Sequence, residues 1–131
     1  MAGAAKMIKR ANDSFQGFVA LDANNLVVSS GGGAAALTIT ADTQRPIGVA
    51  QIWVGYSATP TGGSIKIEDG SGTVKWGPFP IAAAGTFEFT FDPPLCGTKN
   101  TDMIITAASG GGAVVATVAA TPIVLGPGVI T

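Results

Sequence analysis

The side chains that most enzymes use for catalysis are scarce in this sequence. Its 131 residues include no histidine, a single cysteine, seven basic residues and eight acidic residues. General acid–base and nucleophilic catalysis draw mainly on His, Cys, Asp, Glu and Lys. Cys96 has neither a histidine to activate it nor a second cysteine to pair with, so we interpret it as a small, partly buried residue near a turn. The composition therefore predicts a protein that is not an enzyme.

Two acidic segments are the remaining candidates for metal or acid–base chemistry. The loop from Asp92 to Asp102 is rich in oxygen atoms, but it lacks the ligand spacing of a helix–loop–helix calcium site, and a turn held by Asx hydrogen bonds explains it better. Glu68 and Asp69 would form a carboxylate pair for glycoside cleavage with Asp42 only if the fold brought them together. Glu68 and Asp69 fall in a hairpin turn, so we do not expect such a pair. We therefore expect no metal, no cofactor and no catalytic residue.

Aromatic side chains are the more informative group. Trp53, Tyr56, Trp76 and Phe79 would form a platform for stacking sugars if they shared an exposed face, whereas tryptophan in a small all-β domain usually belongs to the core. In the segment Trp76-Gly77-Pro78-Phe79-Pro80, the two prolines impose an extended, irregular path that leaves apolar rings beside a sheet edge. The candidate subunit contacts are therefore Trp76, Pro78, Phe79 and Pro80.

The composition indicates a β-rich domain that works in contact with other proteins. Nineteen glycines and eight prolines indicate many turns and little helix. The charged fraction of 11% is less than half of the roughly 25% that is typical, and a free monomer with so few charges would tend to self-associate. A net charge of −1 lacks the basic surface of a general nucleic-acid binder. We therefore expect a homo-oligomer or assembly component that does not bind nucleic acid.

The sequence shows no targeting segment and no membrane span. Its first ten residues, MAGAAKMIKR, include basic residues but lack the apolar run of a secretory signal. No stretch approaches the roughly 18 apolar residues that a spanning helix requires. We therefore expect synthesis in a cytoplasm and no membrane partner.

The pattern of apolar residues predicts strands from residue 16 onward. Short alternating or continuous apolar runs are separated by residues that favour turns. The run Ile47–Tyr56 is apolar on both faces, with Val49, Trp53 and Gly55 on one of them, which places it in the middle of a packed structure. Strands at this regular spacing predict an all-β fold, a single antiparallel β-sandwich of jelly-roll type.

Two hairpins are predicted. The alternation in residues 64–68 predicts that Ile65 and Ile67 face inward. Residues 64–68 and 73–76 flank Asp69-Gly70-Ser71-Gly72, and Asp-Gly readily adopts the positive φ angles of a tight hairpin. Residues 103–106 and 114–118 flank a glycine-rich segment and predict a second hairpin. In residues 85–91, three phenylalanines line one face, and Asp92-Pro93-Pro94 is predicted to end that strand because proline cannot continue a ladder.

We divide the chain into an N-terminal arm (1–15), a β-sandwich domain (16–121) and an extended C-terminal tail (122–131). The arm carries three of the seven basic residues. It is either a segment that becomes ordered by lying on another surface or a disordered terminus. On the first interpretation, the candidate contacts with the partner surface are Lys6, Lys9, Arg10, Phe15 and Phe18.

Two segments resemble small structural proteins of tailed bacteriophages. Residues 56–63, Tyr-Ser-Ala-Thr-Pro-Thr-Gly-Gly, lead into the Asp-Gly hairpin, and residues 107–118 read Ala-Ala-Ser-Gly-Gly-Gly-Ala-Val-Val-Ala-Thr-Val. The resemblance covers roughly the C-terminal two thirds of the chain and rests on turn and strand motifs. It implies a β-sandwich that serves as a capsid decoration (cement) protein or another minor virion protein, with no catalytic residue. The basic arm and the Trp-Gly-Pro-Phe-Pro segment depart from the pattern.

Three functions follow as hypotheses. The first is a cement protein, a homotrimer at the capsid surface of the virion, which binds the major capsid protein on the outside of the phage head and bridges neighbouring subunits. The second is a tail, fibre or head–tail component, which copy number would distinguish from the first. The third is a carbohydrate-binding β-sandwich module, with weak glycan binding through an exposed Trp53, Tyr56 or Trp76.

Overall fold

The computed structural model describes residues 18–20, 25–29 and 31–125. Within these residues the regular structure consists of nine antiparallel strands. Their bounds are β1 Phe18–Ala20, β2 Asn25–Val28, β3 Ala35–Ile39, β4 Ile47–Tyr56, β5 Ser64–Asp69, β6 Val74–Pro80, β7 Gly85–Cys96, β8 Met103–Ala107 and β9 Ala116–Leu125. No helix among these residues is long and apolar enough to cross a membrane.

The strands form two sheets that pack face to face. In sheet I, β1 and β2 both pair with β9, which is followed by β4 and then β7. In sheet II the order is β3, β8, β5, β6. From β2 to β9 this is the strand order of a jelly roll, in which two Greek keys fold into a two-sheet sandwich. The predicted fold class is confirmed.

The core lies between the two sheets and follows from the period-two alternation of each strand. In β3 the side chains alternate strictly between buried and exposed. Ile52 and Val54 of sheet I face Ile65 and Ile67 of sheet II, and none of the four retains exposed surface. Because most core residues are Ile, Val and Ala, the layer between the sheets is built mainly from β-branched and small side chains.

A bulge in β4 changes which residues of this strand reach the core. Against β9, Pro122 pairs with Val49 and Thr121 pairs with Gln51, so Ala50 is one residue extra on β4. The extra residue reverses the alternation, because a bulge places two residues opposite one. Val49 is therefore fully buried, and the expectation that it shares a face with Trp53 was wrong.

The β5–β6 hairpin is confirmed, with Gly70 at φ +77° and Gly72 at φ +92° in its turn. The second predicted hairpin was wrong. Strand β8 pairs with β3 and β5 in sheet II, whereas β9 pairs with β1, β2 and β4 in sheet I. The segment between β8 and β9 therefore crosses from one sheet to the other.

Two predicted boundaries differ from the structure. Strand β7 continues through Asp92-Pro93-Pro94 to Cys96, so the expected end at Asp92 was wrong. The prolines lie in an irregular stretch, because the register with β4 moves from Gln51↔Thr90 directly to Val49↔Leu95, and a proline in a bulge has no ladder bond to lose. Strand β9 continues to Leu125, four residues beyond the predicted end of the sandwich domain at 121.

Candidate functional site

The four aromatic residues considered as a sugar platform do not share a face. Trp53 lies on the outer face of sheet I, because its neighbours in β4, Ile52 and Val54, face the core. Tyr56 is only 3% exposed and belongs to the core. Trp76 and Phe79 lie on β6, at the edge of sheet II. These four residues therefore do not form the shared platform that was considered as an alternative to core positions, and they divide among three locations.

Trp76 and Phe79 belong to a cluster of rings between the two sheets. The ring centroids of Trp76 and Phe79 are 6.1 Å apart and their planes are almost parallel, at 3°. Phe89 and Phe91 of β7 meet the Trp76 ring edge-on, at 5.0 Å and 5.3 Å, and Phe89 also lies 5.1 Å from Phe79. These are the offset and edge-to-face arrangements that aromatic rings prefer.

The rings point into the sandwich, yet they are not covered. Trp76 pairs with Ile67 and Phe79 with Ile65 across β5–β6; Phe89 pairs with Ile52 across β4–β7. Directly paired residues project from the same face of a sheet, and all three isoleucines are completely buried. Phe79 is nevertheless 47% exposed, and Phe89 is only partly buried.

The exposure arises because β6 and β7 are both edge strands. Strand β6 ends sheet II and β7 ends sheet I, and the two follow each other in the chain. The sandwich is therefore incompletely closed along this side. We call this surface the open side and define it by the partly exposed aromatic residues of β6 and β7, namely Trp76, Phe79, Phe87, Phe89 and Phe91.

The open side contains the predicted subunit contacts. Pro78 and Pro80 lie in β6 beside Phe79, and both are exposed. A proline has no N–H to donate, so these residues block regular strand addition along much of β6. The structure thus places the predicted residues Trp76, Pro78, Phe79 and Pro80 on one exposed edge strand.

Sequence reasoning missed the contribution of β7 to this surface. The alternation at Phe87, Phe89 and Phe91 correctly predicts that these side chains share one face. It does not show that β7 is an edge strand or that it lies across the sandwich from β6. That information depends on which strands pair, and the jelly-roll strand order supplies it.

The acidic residues considered for metal or glycosidase chemistry hold loops in place instead. The Asp42 carboxylate accepts hydrogen bonds from the backbone N–H groups of Gln44 (2.7 Å) and Arg45 (3.0 Å). The Asp102 carboxylate accepts one from Ala41 at 2.7 Å, and the Asp69 carboxylate accepts two from Thr98. The Asp42–Gln44 bond is an Asx turn. Its donor N–H is the main reason that the pKa of the Asp42 carboxyl lies below its usual value.

Two further sequence expectations concern Cys96 and metal ions. Cys96 is free, partly buried and at the end of β7, as predicted, and burial raises the pKa of its thiol. Within the described ranges, His, Cys, Asp and Glu side chains form no group of three or more that would hold a metal ion.

The candidate contacts of the arm lie mostly outside the residues that the structure describes. This applies to Lys6, Lys9, Arg10 and Phe15. Phe18 is described as part of β1, where its backbone pairs with Leu125 at the end of β9. Phe18 therefore lies at the end of the sandwich where β9 finishes and β4 begins.

Comparison with known proteins finds similarity of structure only. No protein-family model and no curated protein sequence matches the chain. The CBM36-1 domain of a multidomain xylanase from the hindgut metagenome of Trinervitermes trinervoides is similar with a TM-score of 0.40, 11% identity, and coverage of 82% of this chain and 100% of that chain. The family 32 CBM from C. perfringens NanJ in complex with galactose has a TM-score of 0.41 and 12% identity, covering 79% of this chain and 98% of that chain.

A viral coat protein is also among the similar structures. The coat protein of Tobacco streak virus has a TM-score of 0.34 and 12% identity, covering 84% of this chain and 92% of that chain. Since all of these TM-scores are below 0.5, an argument about function has to come from the residues of this chain. Those residues define a jelly-roll β-sandwich with one uncovered aromatic side.

Proposed function

We propose that the protein is a non-enzymatic virion structural protein, specifically a capsid decoration (cement) protein. It would bind the outer surface of the phage head and bridge neighbouring major capsid subunits. The observation that carries the proposal is the open side, where core-facing aromatic rings remain exposed. A contiguous apolar surface of this kind indicates a site of protein–protein contact.

The occupant of the open side is a second copy of the same chain. Strand β6 carries Lys75, whereas β7 carries Asp92. A contact of β6 in one copy with β7 in the next would therefore bring together opposite charges around an apolar centre, as interfaces commonly do. Such a contact is heterologous, and repeating it closes a ring when the rotation allows. A ring of three copies is the assembly we expect.

The mass of the protein in solution tests this assembly. By light scattering after gel filtration, we expect three times the 13.0 kDa of one chain. Phe79→Thr removes the most exposed ring of the open side and keeps a residue that favours strands, so it should give monomers. Val28→Thr is the matched control, because Val28 is 54% exposed but lies on β2, across sheet I from β7. A monomeric wild type, or a Phe79→Thr trimer, would refute the assembly.

A charge variant tests the same contact without the general loss of packing that Phe79→Thr could cause. Lys75 is exposed, and it forms no ion pair with another described residue. Lys75→Glu should weaken self-association, most clearly at low ionic strength, because it places like charges at the rim of the contact. Lys99→Glu makes the same change in an exposed loop and should leave the mass unchanged.

The bridging role follows from what a shell filled with DNA requires. Such a shell is under outward pressure, and a protein that spans the seam between subunits adds buried surface there. An interface of roughly 1,000 Å² per copy is the smallest that would be credible as specific. In the proposed mode, the basic arm, with Lys6, Lys9 and Arg10, lies on the major capsid protein, and Phe15 and Phe18 supply apolar contacts.

Co-sedimentation with shells from the protein's own source tests the docking. The wild-type protein should pellet with the shells in a copy number comparable to that of the major capsid protein. A tail or head–tail component would be present in far fewer copies. Deleting residues 1–14 should abolish pelleting but leave the trimer mass intact. Undiminished pelleting of the truncated protein would overturn the docking mode without affecting the proposed trimer.

A further inference from the structure

The outer face of sheet I holds a groove that the proposed assembly does not use. It is a shallow depression of about 370 Å³, lined by ten residues that include Trp53, Gly55, Thr86, Thr117 and Ala119. A volume of this size lies in the range of about 300–1,000 Å³ for small-ligand sites. The question is which class of ligand its lining would recognise.

The register of the sheet places two small residues, Ala119 and Gly55, beside Trp53. On either side of it, across β9 and β7, lie Ala119 and Glu88. In the adjacent outward-facing row, Gly55 is flanked by Thr117 and Thr86. Because glycine and alanine are too small to cover an indole, the tryptophan has room beside it for a flat ligand. A planar aromatic surface with open space beside it is suited to stacking against the C–H face of a sugar ring.

Polar groups along the groove are available to bind hydroxyls. Within the described part of the chain, neither the indole N–H of Trp53 nor the hydroxyls of Thr86 and Thr117 make a hydrogen bond. Beyond Trp53, the Gln51 side-chain amide donates a hydrogen bond to the Glu88 carboxylate, which leaves that carboxylate able to accept more bonds from a ligand. Hydrogen-bond donors and acceptors therefore both lie around the aromatic surface.

The charge of the groove selects against anionic ligands. None of its lining residues is lysine or arginine, and the nearest charged group on its face is the carboxylate of Glu88. A phosphate or carboxylate ligand would find no cation there and would be repelled by Glu88. The ligand class that fits an aromatic surface, free hydroxyls and a carboxylate is a neutral polyhydroxylated ring.

From these observations we infer that the groove around Trp53 is a binding site for a neutral carbohydrate. The site is separate from the open side, because it lies on the outer face of sheet I, whereas the rings of the open side point inward. It is also remote from Phe18, the first residue that the structure describes. Gly55 is eight residues along β4 from Ile47, which lies at the end of the sandwich where Phe18 pairs with Leu125, and a strand of that length spans about 26 Å.

NMR of the indole N–H groups tests the site directly, because the chain has two tryptophans. The probes are the neutral disaccharides cellobiose, lactose, maltose and xylobiose, each titrated to about 50 mM, which nearly saturates a site with a millimolar Kd. The Trp53 indole signal, assigned with Trp76→Phe, should shift saturably with at least one of them, and the Trp76 signal should not. AMP, as an anionic ring, should shift neither signal.

Gly55→Val provides a blocking variant that leaves Trp53 in place. A Cβ at Gly55 would lie 3.4 Å from the Thr86 Oγ1 and inside the groove, at ordinary contact distance, and valine favours strands. We expect binding to weaken at least about tenfold, so that a Kd of about 1 mM would rise to about 10 mM or more. Trp53→Leu, which keeps apolar bulk but removes the flat ring, should weaken binding similarly. Thermal unfolding verifies that both variants fold.

Phe79→Thr separates this inference from the proposed assembly. It should retain wild-type disaccharide affinity, since Phe79 does not line the groove, whereas Gly55→Val should remain a trimer. Any of three results would overturn the carbohydrate site: no Trp53 shift with all four disaccharides, a shift with AMP alone, or wild-type affinity in Gly55→Val.

Discussion

The phenolic hydroxyl of Tyr56 donates a 2.7 Å hydrogen bond to the carbonyl oxygen of Ala108. It also accepts a 3.2 Å bond from the backbone N–H of Ser64. Tyr56 ends β4 in sheet I, Ser64 begins β5 in sheet II, and Ala108 follows β8 in sheet II. One buried side chain therefore connects the two sheets at the end of the sandwich from which the chain crosses to β9.

Tyr56→Phe should destabilise the protein although the ring is retained. The change removes the donor to Ala108 and the acceptor for Ser64, so two backbone groups at a partly buried position lose a partner. We expect the free energy of unfolding to fall by about 1–2 kcal/mol, measured by urea denaturation at a fixed protein concentration. An unchanged m-value would indicate that the folded and unfolded states expose the same surface as before. Stability equal to that of wild type would show that the link between the sheets contributes nothing.

The same substitution should change the response to alkali. Burial raises the pKa of the Tyr56 hydroxyl above its usual value of 10.0, so the neutral form is favoured in the folded state. That contribution to stability is complete below pH 10 and is lost as the pH rises through the folded-state pKa. Wild type should therefore lose more stability than Tyr56→Phe above pH 10, in thermal unfolding followed at a series of pH values.

Two serine hydroxyls that bind backbone N–H groups at the start of β9 offer a matched test of how burial affects a hydrogen bond. The Ser29 hydroxyl accepts a hydrogen bond from the N–H of Ala116, and the Ser57 hydroxyl accepts one from the N–H of Val115, both at 2.8 Å. The first bond is buried and the second is exposed. Ser29→Ala should lower the free energy of unfolding by about 1–3 kcal/mol, because the Ala116 N–H is left buried without a partner. Ser57→Ala should have a smaller effect, because water replaces the hydroxyl. Equal losses of stability in Ser29→Ala and Ser57→Ala would mean that burial does not determine how much each hydrogen bond contributes.

The sequence predicted those features that depend on local pattern. Alternation in residues 64–68 correctly identified Ile65 and Ile67 as core residues, and Asp69-Gly70 correctly identified a hairpin turn. The three phenylalanines of β7 were correctly placed on one face. Each of these features is determined by side-chain period or by the φ angles of a few residues, both of which can be read from a short segment.

The features that the sequence did not predict depend on contacts between distant segments. A glycine-rich connection between residues 107 and 116 looks the same whether its two strands pair or cross between sheets. The extra residue Ala50 is recognisable only against the register of β9. For the candidate site, the sequence identified Trp76 and Phe79. The contribution of Phe89 and Phe91 became evident only once β6 and β7 were seen as edges on the same side.

Gly63 is required because there is no room for a side chain at this position, not because of its backbone conformation. A Cβ at this position would lie 2.7 Å from the carbonyl oxygen of Ile81 and 2.8 Å from the Cγ of Pro60, and neither atom belongs to a flexible chain end. Gly63→Ala should therefore lower the free energy of unfolding by about 1–3 kcal/mol through overpacking. At Gly33, a Cβ would meet nothing within 4 Å. Gly33→Ala should be neutral or stabilising by up to about 1 kcal/mol, because alanine has less freedom to lose on folding. Chemical denaturation of the two variants checks both values.

Asp42 should account for part of the loss of stability in acid. Its carboxylate holds the backbone N–H groups of Gln44 and Arg45, and the bond from Gln44 is the leading cause of its lowered pKa. A group whose folded-state pKa is depressed stabilises the fold above its ordinary pKa, here 3.8, and this contribution is lost as the pH falls through the folded-state value. Asp42→Asn keeps an oxygen that accepts the same bonds but does not titrate. The thermal midpoint of this variant should therefore fall less than that of wild type between pH 5 and pH 2.5. If Asp42→Asn and wild type lost stability in parallel over this range, the Asx turn at Asp42 would not be a source of acid sensitivity.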